Sequence, residues 1–442
     1  MAPFNFRSAD ELLEKAALLG IDLPFQEDLS PLFEWVKVGS FPLVNRLTVQ
    51  PMEGCDALAD GSPGELTFRR YRRYARGGSG TIWFEATAVK AEARSNPRQL
   101  WLHRQNVAAF RELVEKTRQA AYRIFGVGHD PFLVLQLTHS GRYSRPDGRP
   151  KPLAAAANPY LDKDGQDVHI LGDGELDQLQ ERFVEAAYLA WQAGFDAVDI
   201  KACHGYLVNE LLGGRQRRDS RYGGAFENRC RFLLDVCRKI RAEVYPIMTA
   251  VRLSAYDGVP YPYGFGVSQE SREGIDLSEV MTLLAELGDR GCQMGNITVG
   301  NPQVAPHLTR PYDRGLPGAE SLPEHPLEGV YRLIRITGEL QNEFCDLPLL
   351  GSGYSWLRHF FPQVAAAVVR QGGAALIGLG RSAFAYPEAP RHLLEKGALD
   401  PQKVCIACSR CSELMRFGRP SGCVVRDKEI YGKAYQGISK TP

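Results

Sequence analysis

Short apolar runs alternate with longer amphipathic segments along most of this chain. Eight runs are almost continuously apolar, as in parallel strands that are covered on both faces. They lie at residues 47–52, 80–86, 132–137, 196–201, 247–253, 294–299, 347–351 and 374–378. Segments with helical periodicity separate them, for example at 110–124, 176–193 and 277–291. This order favours an α/β fold, a closed (β/α)8 TIM barrel, over a doubly wound sheet.

Three regions follow from this pattern. Residues 1–40 predict an N-terminal helical extension, because apolar positions recur there at helical spacing. Residues 41–400 predict the barrel. Residues 401–442 form a separate C-terminal segment that contains four clustered cysteines.

Composition narrows the functional classes. The 442 residues carry a formal net charge of +1, which gives no electrostatic reason to expect a nucleic-acid or membrane partner. No run of about 18 apolar residues indicates a membrane span, and the first twenty residues lack a secretory signal pattern. We therefore expect a cytoplasmic protein.

Candidate catalytic groups follow the fourth predicted strand, because barrels place reactive side chains at the carboxyl ends of their strands. Lys201, His204 and Tyr206 bring an ammonium, an imidazole and a phenol within six residues. A phenol can act as a general acid, and the other two groups can polarise a carbonyl. The alternative is that these side chains are hydrogen-bonded barrel residues without a catalytic role.

The seventh and eighth predicted strands end in glycine-rich turns. The first contains Gly351, Ser352 and Gly353, and the second contains Gly380 and Arg381. Barrels often bind phosphate at these two loops, because backbone N–H groups next to glycines can approach an anion. The alternative is that the glycines only permit tight turns.

The four clustered cysteines have a spacing that suits a metal. Two residues separate Cys405 from Cys408 and Cys408 from Cys411, and eleven separate Cys411 from Cys423. Clustered thiols in a reducing compartment indicate metal ligands before disulfides. An iron–sulfur cluster, a zinc ion and free thiols all remain open on spacing alone.

Several motifs, in order along the chain, resemble those of the old yellow enzyme family. The central one includes GFDAVDIKACHGYLVNELL and RRDSRYGGAFENRCRFLLDV within residues 194–236. Segments at 45–52, 84–89, 135–142 and 379–381 resemble the family's first, second, third and eighth strands. The resemblance covers about residues 35–425.

This resemblance implies a flavoprotein that binds FMN and uses NAD(P)H as a candidate electron donor. It assigns Gly353, Gly380 and Arg381, with the adjacent Gly351 and Ser352, to the FMN phosphate. The flavin ring would be contacted by Gln136 at its pyrimidine edge, by Arg252 beside N1 and O2, and by Pro51, Met52 and Ala86 along its plane.

The sequence departs from the family at its substrate-binding pair. Lys201 replaces the first histidine of the pair, His204 fills the second place, and Tyr206 matches the proton donor. The resemblance therefore implies an ene-reductase: hydride from flavin N5 reduces an activated C=C bond, and Tyr206 supplies the proton. Lys201 and His204 would hold the electron-withdrawing group of a small-molecule substrate.

The cysteine segment resembles the tails of 2,4-dienoyl-CoA reductase and trimethylamine dehydrogenase, which implies a [4Fe–4S] cluster on Cys405, Cys408, Cys411 and Cys423. A separate electron-transfer protein would then be a candidate partner, and relatives suggest a homo-oligomer. Two alternatives remain. A dehydrogenase like trimethylamine dehydrogenase would oxidise its substrate and pass the electrons to a partner, and a non-enzymatic barrel subunit would use the cluster structurally.

Overall fold

Eight parallel strands close into a barrel in a computed structural model, which describes residues 4–163, 165, 167–315 and 322–438. The strands are β1 Leu47–Val49, β2 Thr81–Ala88, β3 Phe132–Thr138, β4 Ala197–Ala202, β5 Met248–Tyr256, β6 Cys292–Val299, β7 Leu349–Gly351 and β8 Leu376–Leu379. Each strand pairs with its neighbours in sequence, and β8 pairs with β1 to close the barrel. The predicted TIM barrel is confirmed.

Helices surround the barrel and follow the strands in turn. Their bounds are Glu65–Arg76, Val107–Phe125, Asp173–Ala193, Phe226–Glu243, Ser278–Asp289, Pro326–Glu343, Phe361–Arg370 and Ala389–Lys396. Shorter helices at Leu207–Leu212, Pro306–Thr309 and Arg381–Ala385 lie in the loops after β4, β6 and β8.

The burial of the strands on both faces explains why the sequence pattern predicted them. Every residue of β2 and β3 is buried, because the barrel interior covers one face and the helices cover the other. β1 is shorter than its apolar run, ending at Val49 instead of residue 52. Gln50 still donates its N–H to the Leu379 carbonyl of β8 at 3.1 Å, and Pro51, which has no N–H, cannot continue the ladder.

A hairpin closes the amino-terminal end of the barrel. Its strands, Val36–Val38 and Phe41–Leu43, pair antiparallel, and its apolar side chains pack on the interior residues at that end. The rings of Phe41 and Phe132 are 4.8 Å apart. The open end of the barrel is therefore the one formed by the carboxyl ends of the strands.

Both terminal segments pack against the barrel. Helix Ala9–Leu18, capped by Ser8, buries Leu12 and Ala16 in a cluster with the segment around Trp356, which agrees with the predicted N-terminal helix. At the other terminus, Asp427 accepts hydrogen bonds from Arg69 (2.7 Å) and Arg73 (2.8 Å). These bonds fix the cysteine segment to helix Glu65–Arg76. Among the described residues, no helix is both long and apolar enough to cross a membrane.

Candidate active site

A cavity opens at the carboxyl ends of the strands and encloses about 1180 Å³, its open mouth included. Ten of the predicted site residues line it: Pro51, Met52, Lys201, His204, Tyr206, Arg252, Ser352, Gly353, Gly380 and Arg381. The candidate catalytic residues of β4 therefore share one space with the candidate phosphate loops of β7 and β8, as expected for a barrel enzyme.

Three of the predicted flavin-binding residues do not line this cavity. Gln136 lies on β3, and its amide donates a 2.6 Å hydrogen bond to Asp199 inside the barrel. Ala86 is buried in β2, where its carbonyl accepts from Gln99 at 2.9 Å. Gly351 is the last residue of β7 and is also buried. Their contacts with a flavin remain predictions.

The phenol of Tyr206 is held between an acid and a cation. Its hydroxyl donates to Glu53 Oε1 at 3.1 Å, and the Lys201 ammonium lies over its ring, 3.6 Å from the centroid. Lys201 is also 3.9 Å from the same carboxylate oxygen. Burial, reinforced by the negative charge of Glu53, raises the pKa of Tyr206 well above its ordinary value. The phenol is therefore protonated at neutral pH and can donate a proton.

Lys201 and His204 differ in charge. Burial lowers the pKa of Lys201, and Glu53 opposes that effect. Burial first, and then the nearby Arg252, Lys201 and Arg310, lower the pKa of His204 well below its ordinary value. His204 is therefore a neutral hydrogen-bonding group at physiological pH, with Nε2 lying 3.4 Å from Thr298 Oγ1.

A left-handed turn delivers these side chains to the cavity. His204 has φ +64° and Gly205 has φ +70°. A Cβ at Gly205 would lie 2.2 Å from the Asn301 amide nitrogen, so only glycine fits there. The turn places Tyr206 at the start of the short helix Leu207–Leu212.

The cavity also has a strongly cationic wall. Arg252, Arg310, Arg381 and Arg416 line it, and none has a carboxylate within salt-bridge distance among the described residues. Arg381 Nη1 and Arg252 Nε are buried without hydrogen-bond partners, while Arg381 Nη2 donates to the Pro311 carbonyl at 2.5 Å. Burial and the neighbouring Arg381 lower the pKa of Arg310 to about 10. Unpaired buried guanidinium groups are costly, so this wall suits an anionic ligand.

These residues fit the FMN phosphate. Gly353 adopts φ +100°, and a Cβ there would lie 2.7 Å from the Leu333 side chain, so the turn requires glycine. The backbone of this glycine lines the cavity. The free Nη1 of Arg381 supplies a charged donor beside it. Arg252 offers a second unpaired donor, beside the β4 residues, where an anionic flavin ring would need it.

Three charged residues of the lining were not predicted from the sequence. Glu53 follows Met52 directly and could have been found by reading one residue further beyond the first strand. Arg310 follows the short helix after β6, and Arg416 ends a helix of the cysteine segment. No local pattern shows that these two arginines face the same cavity.

The four clustered cysteines line a second cavity together with Arg381. Helix Arg410–Arg416 separates the two cavities: Cys411 faces the second, while Ser412, Met415 and Arg416 line the first. Among the residues that the structure covers, no three His, Cys, Asp or Glu side chains are placed to hold a single metal ion.

Barrel enzymes that act on or through a phosphorylated ligand combine reactive side chains with a phosphate site at the carboxyl ends of their strands, as this chain does. The chain belongs to the NADH:flavin oxidoreductase / NADH oxidase family, whose model matches residues 31–297. The flavoprotein class and the family predicted from the motifs are thereby confirmed.

Individual relatives agree with this assignment. The chain is 27% identical over 390 residues to an NADH oxidase from Thermoanaerobacter brockii, covering 86% of this chain and 52% of that protein. It is 27% identical over 350 residues to an NADPH dehydrogenase from Bacillus cytotoxicus, covering 76% and 92%. The solved structure of an old yellow enzyme homologue from Zymomonas mobilis superposes with a TM-score of 0.62 at 25% identity, covering 84% and 94%. The chain thus spans about half the length of the NADH oxidase.

Proposed function

We propose that this protein is an FMN-dependent ene-reductase, which reduces an activated C=C bond of a small molecule with electrons from NAD(P)H. The observation that carries the proposal is the placement of the buried, protonated Tyr206 phenol in the same cavity as the cationic cradle around Arg381. A reductase of this type needs both a proton donor and a bound flavin within reach of one substrate.

The chain's own residues have separate roles. Arg381, with the loops of Gly353 and Gly380, holds the FMN phosphate, and Arg252 faces the flavin ring. When bound, FMN supplies a hydride to the β-carbon of the alkene. Tyr206 delivers a proton to the α-carbon, so the product gains one hydrogen on each carbon.

Lys201 and His204 orient the substrate. The neutral imidazole of His204 donates a hydrogen bond to the carbonyl or other electron-withdrawing group, and the Lys201 ammonium adds positive charge near it. This combination favours substrates whose activating group gains negative charge as the β-carbon accepts hydride.

We also propose that Cys405, Cys408, Cys411 and Cys423 bind a [4Fe–4S] cluster. All four thiols line one cavity, which supports a single occupant shared by the four cysteines. Four thiolates are the usual ligand set of a [4Fe–4S] cluster. Such a cluster supplies one-electron transfer, and Arg381 contributes to both cavities.

The proposal also covers the location of the protein, its electron donor and its assembly. The protein acts in the cytoplasm, a reduced electron-transfer protein is a candidate donor through the cluster, and a homo-oligomer is the expected assembly. NADH and NADPH are the first donors to test, because the family is named for NADH and the relative from Bacillus cytotoxicus for NADPH.

Anaerobic turnover tests the main proposal. Purified enzyme reconstituted with FMN should consume NADPH or NADH only when an activated alkene is present, and the saturated product should appear in equal amount. Tyr206→Phe should abolish most of this turnover. Failure with enones, enoate esters, nitroalkenes and enoyl thioesters, with both nicotinamides and with dithionite, would refute it.

One observation favours a second candidate, a dehydrogenase that oxidises its substrate. The cysteine cavity lies directly beside the proposed flavin cavity, on the other side of helix Arg410–Arg416, so electrons could leave through a cluster. In that case a substrate alone, without NAD(P)H, should bleach the flavin absorbance. An ene-reductase requires the nicotinamide for this bleaching.

A further inference from the structure

Glu53 is the only carboxylate among the described residues that line the flavin cavity. Its two oxygens face different groups. Oε1 accepts the hydroxyl of Tyr206 at 3.1 Å, and Oε2 accepts the hydroxyl of Ser95, also at 3.1 Å. A carboxyl group held in this way joins a buried phenol to a second hydroxyl.

The Ser95 end of this chain of hydrogen bonds lies at the start of a loop that reaches solvent. Tyr206 is 9% exposed, Glu53 and Ser95 are both partly buried, and Pro97 and Arg98, which follow Ser95 in the loop, are exposed. Ser95 is fixed in place, because its N–H donates to Gln99 Oε1 at 2.5 Å and its hydroxyl accepts from Asn96 at 3.1 Å. The three polar groups thus form an ordered path from the cavity toward the surface.

The phenol needs such a path. Once Tyr206 has given up its proton, it becomes a phenolate in a site where burial and a neighbouring carboxylate both disfavour that charge. The Lys201 ammonium lies over the face of the ring instead of beside the oxygen, and Tyr143, whose ring is 6.1 Å away, has its own hydroxyl bonded to Asn301. Cys55, the remaining titratable neighbour, is buried. The groups hydrogen-bonded directly to the phenol are Glu53 and the Ser95 hydroxyl, which also bonds to Glu53.

We propose that Glu53 and Ser95 form a proton relay that recharges Tyr206 in each catalytic cycle. The relay rests on the proposed ene-reductase function. The Tyr206 O–H bond breaks as the bond between hydrogen and the α-carbon forms. Ser95 gives its proton to Glu53 as it takes one from water, which leaves a hydroxide ion in the solvent, and a half-turn of the carboxyl group then passes the proton to the phenolate. One proton from water is consumed for each alkene reduced.

Rapid mixing of the FMN-loaded enzyme measures two half-reactions separately: reduction of the flavin by NADPH, and its reoxidation by an alkene. Flavin bleaching by NADPH does not need Tyr206, while flavin reoxidation by an alkene does. Glu53→Gln keeps the size and a hydrogen bond but cannot pass a proton. We expect it to slow steady-state turnover with alkene by at least about tenfold, below the 10²–10⁴ typical of losing the acid itself. The bleaching rate should stay within about twofold, and Glu92→Gln, an exposed glutamate nearby, should match wild type in both halves.

A second measurement separates a relay from a merely structural role. Glu53→Ala leaves space for a small acid, so acetate buffer at constant pH and ionic strength should restore turnover in proportion to acetic acid concentration, without restoring Tyr206→Phe. Ser95→Ala should slow turnover by a few-fold, because water can replace one hydroxyl.

Distinct results overturn the relay and the proposed function. The relay is wrong if Glu53→Gln turns over alkene like wild type, or if both halves slow equally and acetate has no effect. If wild type and Glu92→Gln themselves never reoxidise with any activated alkene, the ene-reductase proposal fails and the relay fails with it.

Discussion

Replacing Arg381 with glutamine should weaken FMN binding through the phosphate alone. Arg381 Nη2 is committed to the Pro311 carbonyl, and the free, buried Nη1 is the donor available to a ligand. Glutamine is uncharged and shorter, so it removes the cation while keeping a polar group. The backbone loops of Gly353 and Gly380 remain.

The magnitude follows from the loss of one charge-assisted hydrogen bond. Such a bond contributes about 1.5–3 kcal/mol, which corresponds to roughly a 10- to 150-fold rise in the FMN dissociation constant. Arg381→Lys keeps the positive charge but lacks the planar guanidinium group. We expect its FMN dissociation constant to lie between those of Arg381→Gln and wild type.

Flavin fluorescence quenching by the apoprotein measures both affinities. Riboflavin has the same ring system as FMN but no phosphate, so Arg381→Gln should leave riboflavin affinity nearly unchanged and reduce the preference for FMN. Arg370→Gln is the matched control, because Arg370 is 52% exposed in its side chain and pairs with Asp28 far from the cavity. The reasoning would be refuted if Arg381→Gln weakened FMN and riboflavin by the same factor, or neither of them.

Three further predictions follow from the site and the core. Tyr206→Phe should lower alkene reduction about 10²–10⁴-fold while NADPH still bleaches the flavin at the wild-type rate; an equal loss in both steps would contradict a proton-donor role. Cys411→Ser should remove bound iron, measured by metal analysis of anaerobically purified protein, whereas the buried Cys230→Ser should keep it; unchanged iron in the first variant would count against the cluster. Burial raises the pKa of Asp257 to about 7 from 3.8, so its contribution to stability is complete below about pH 4 and is lost as pH rises through 7. The melting temperature of Asp257→Asn relative to wild type should therefore increase between pH 5 and pH 8.5, and a constant difference would show that the carboxyl does not titrate there.

Much of the barrel could be predicted from sequence because its strands are buried on both faces. A run such as Phe132–Thr138 has no polar face, and this continuous apolar character survives without any knowledge of its neighbours. The hairpin that closes the barrel was not predicted. Its strands of three residues are each partly exposed, so neither an apolar run nor a clear alternation marks them.

The candidate site was predictable only where its residues lie at strand ends. Lys201 lies at the carboxyl end of β4, His204 and Tyr206 follow that strand, and Arg381 follows β8, so strand order alone brings them to one end of the barrel. Arg416 could not be placed in this way. It reaches the cavity because the cysteine segment folds back over the barrel, a long-range contact that no local periodicity encodes.

The arginines of the cationic wall are a second example. Arg310 is flanked by Arg381 and Arg416 and lacks a carboxylate partner among the described residues. A sequence can show that arginines are present, but their convergence without acids is a tertiary property. That convergence is what indicates an anionic cofactor in the cavity.

The central claim is that the flavin passes electrons to an activated alkene and that Tyr206 supplies the proton. The most direct test is an anaerobic two-step experiment on the FMN-loaded protein, in which one equivalent of NADPH first bleaches the flavin and an enone is then added. The flavin absorbance should return within the turnover time in wild type and far more slowly in Tyr206→Phe. A flavin that stays bleached with every activated alkene, or that is bleached by a substrate without NADPH, would contradict it.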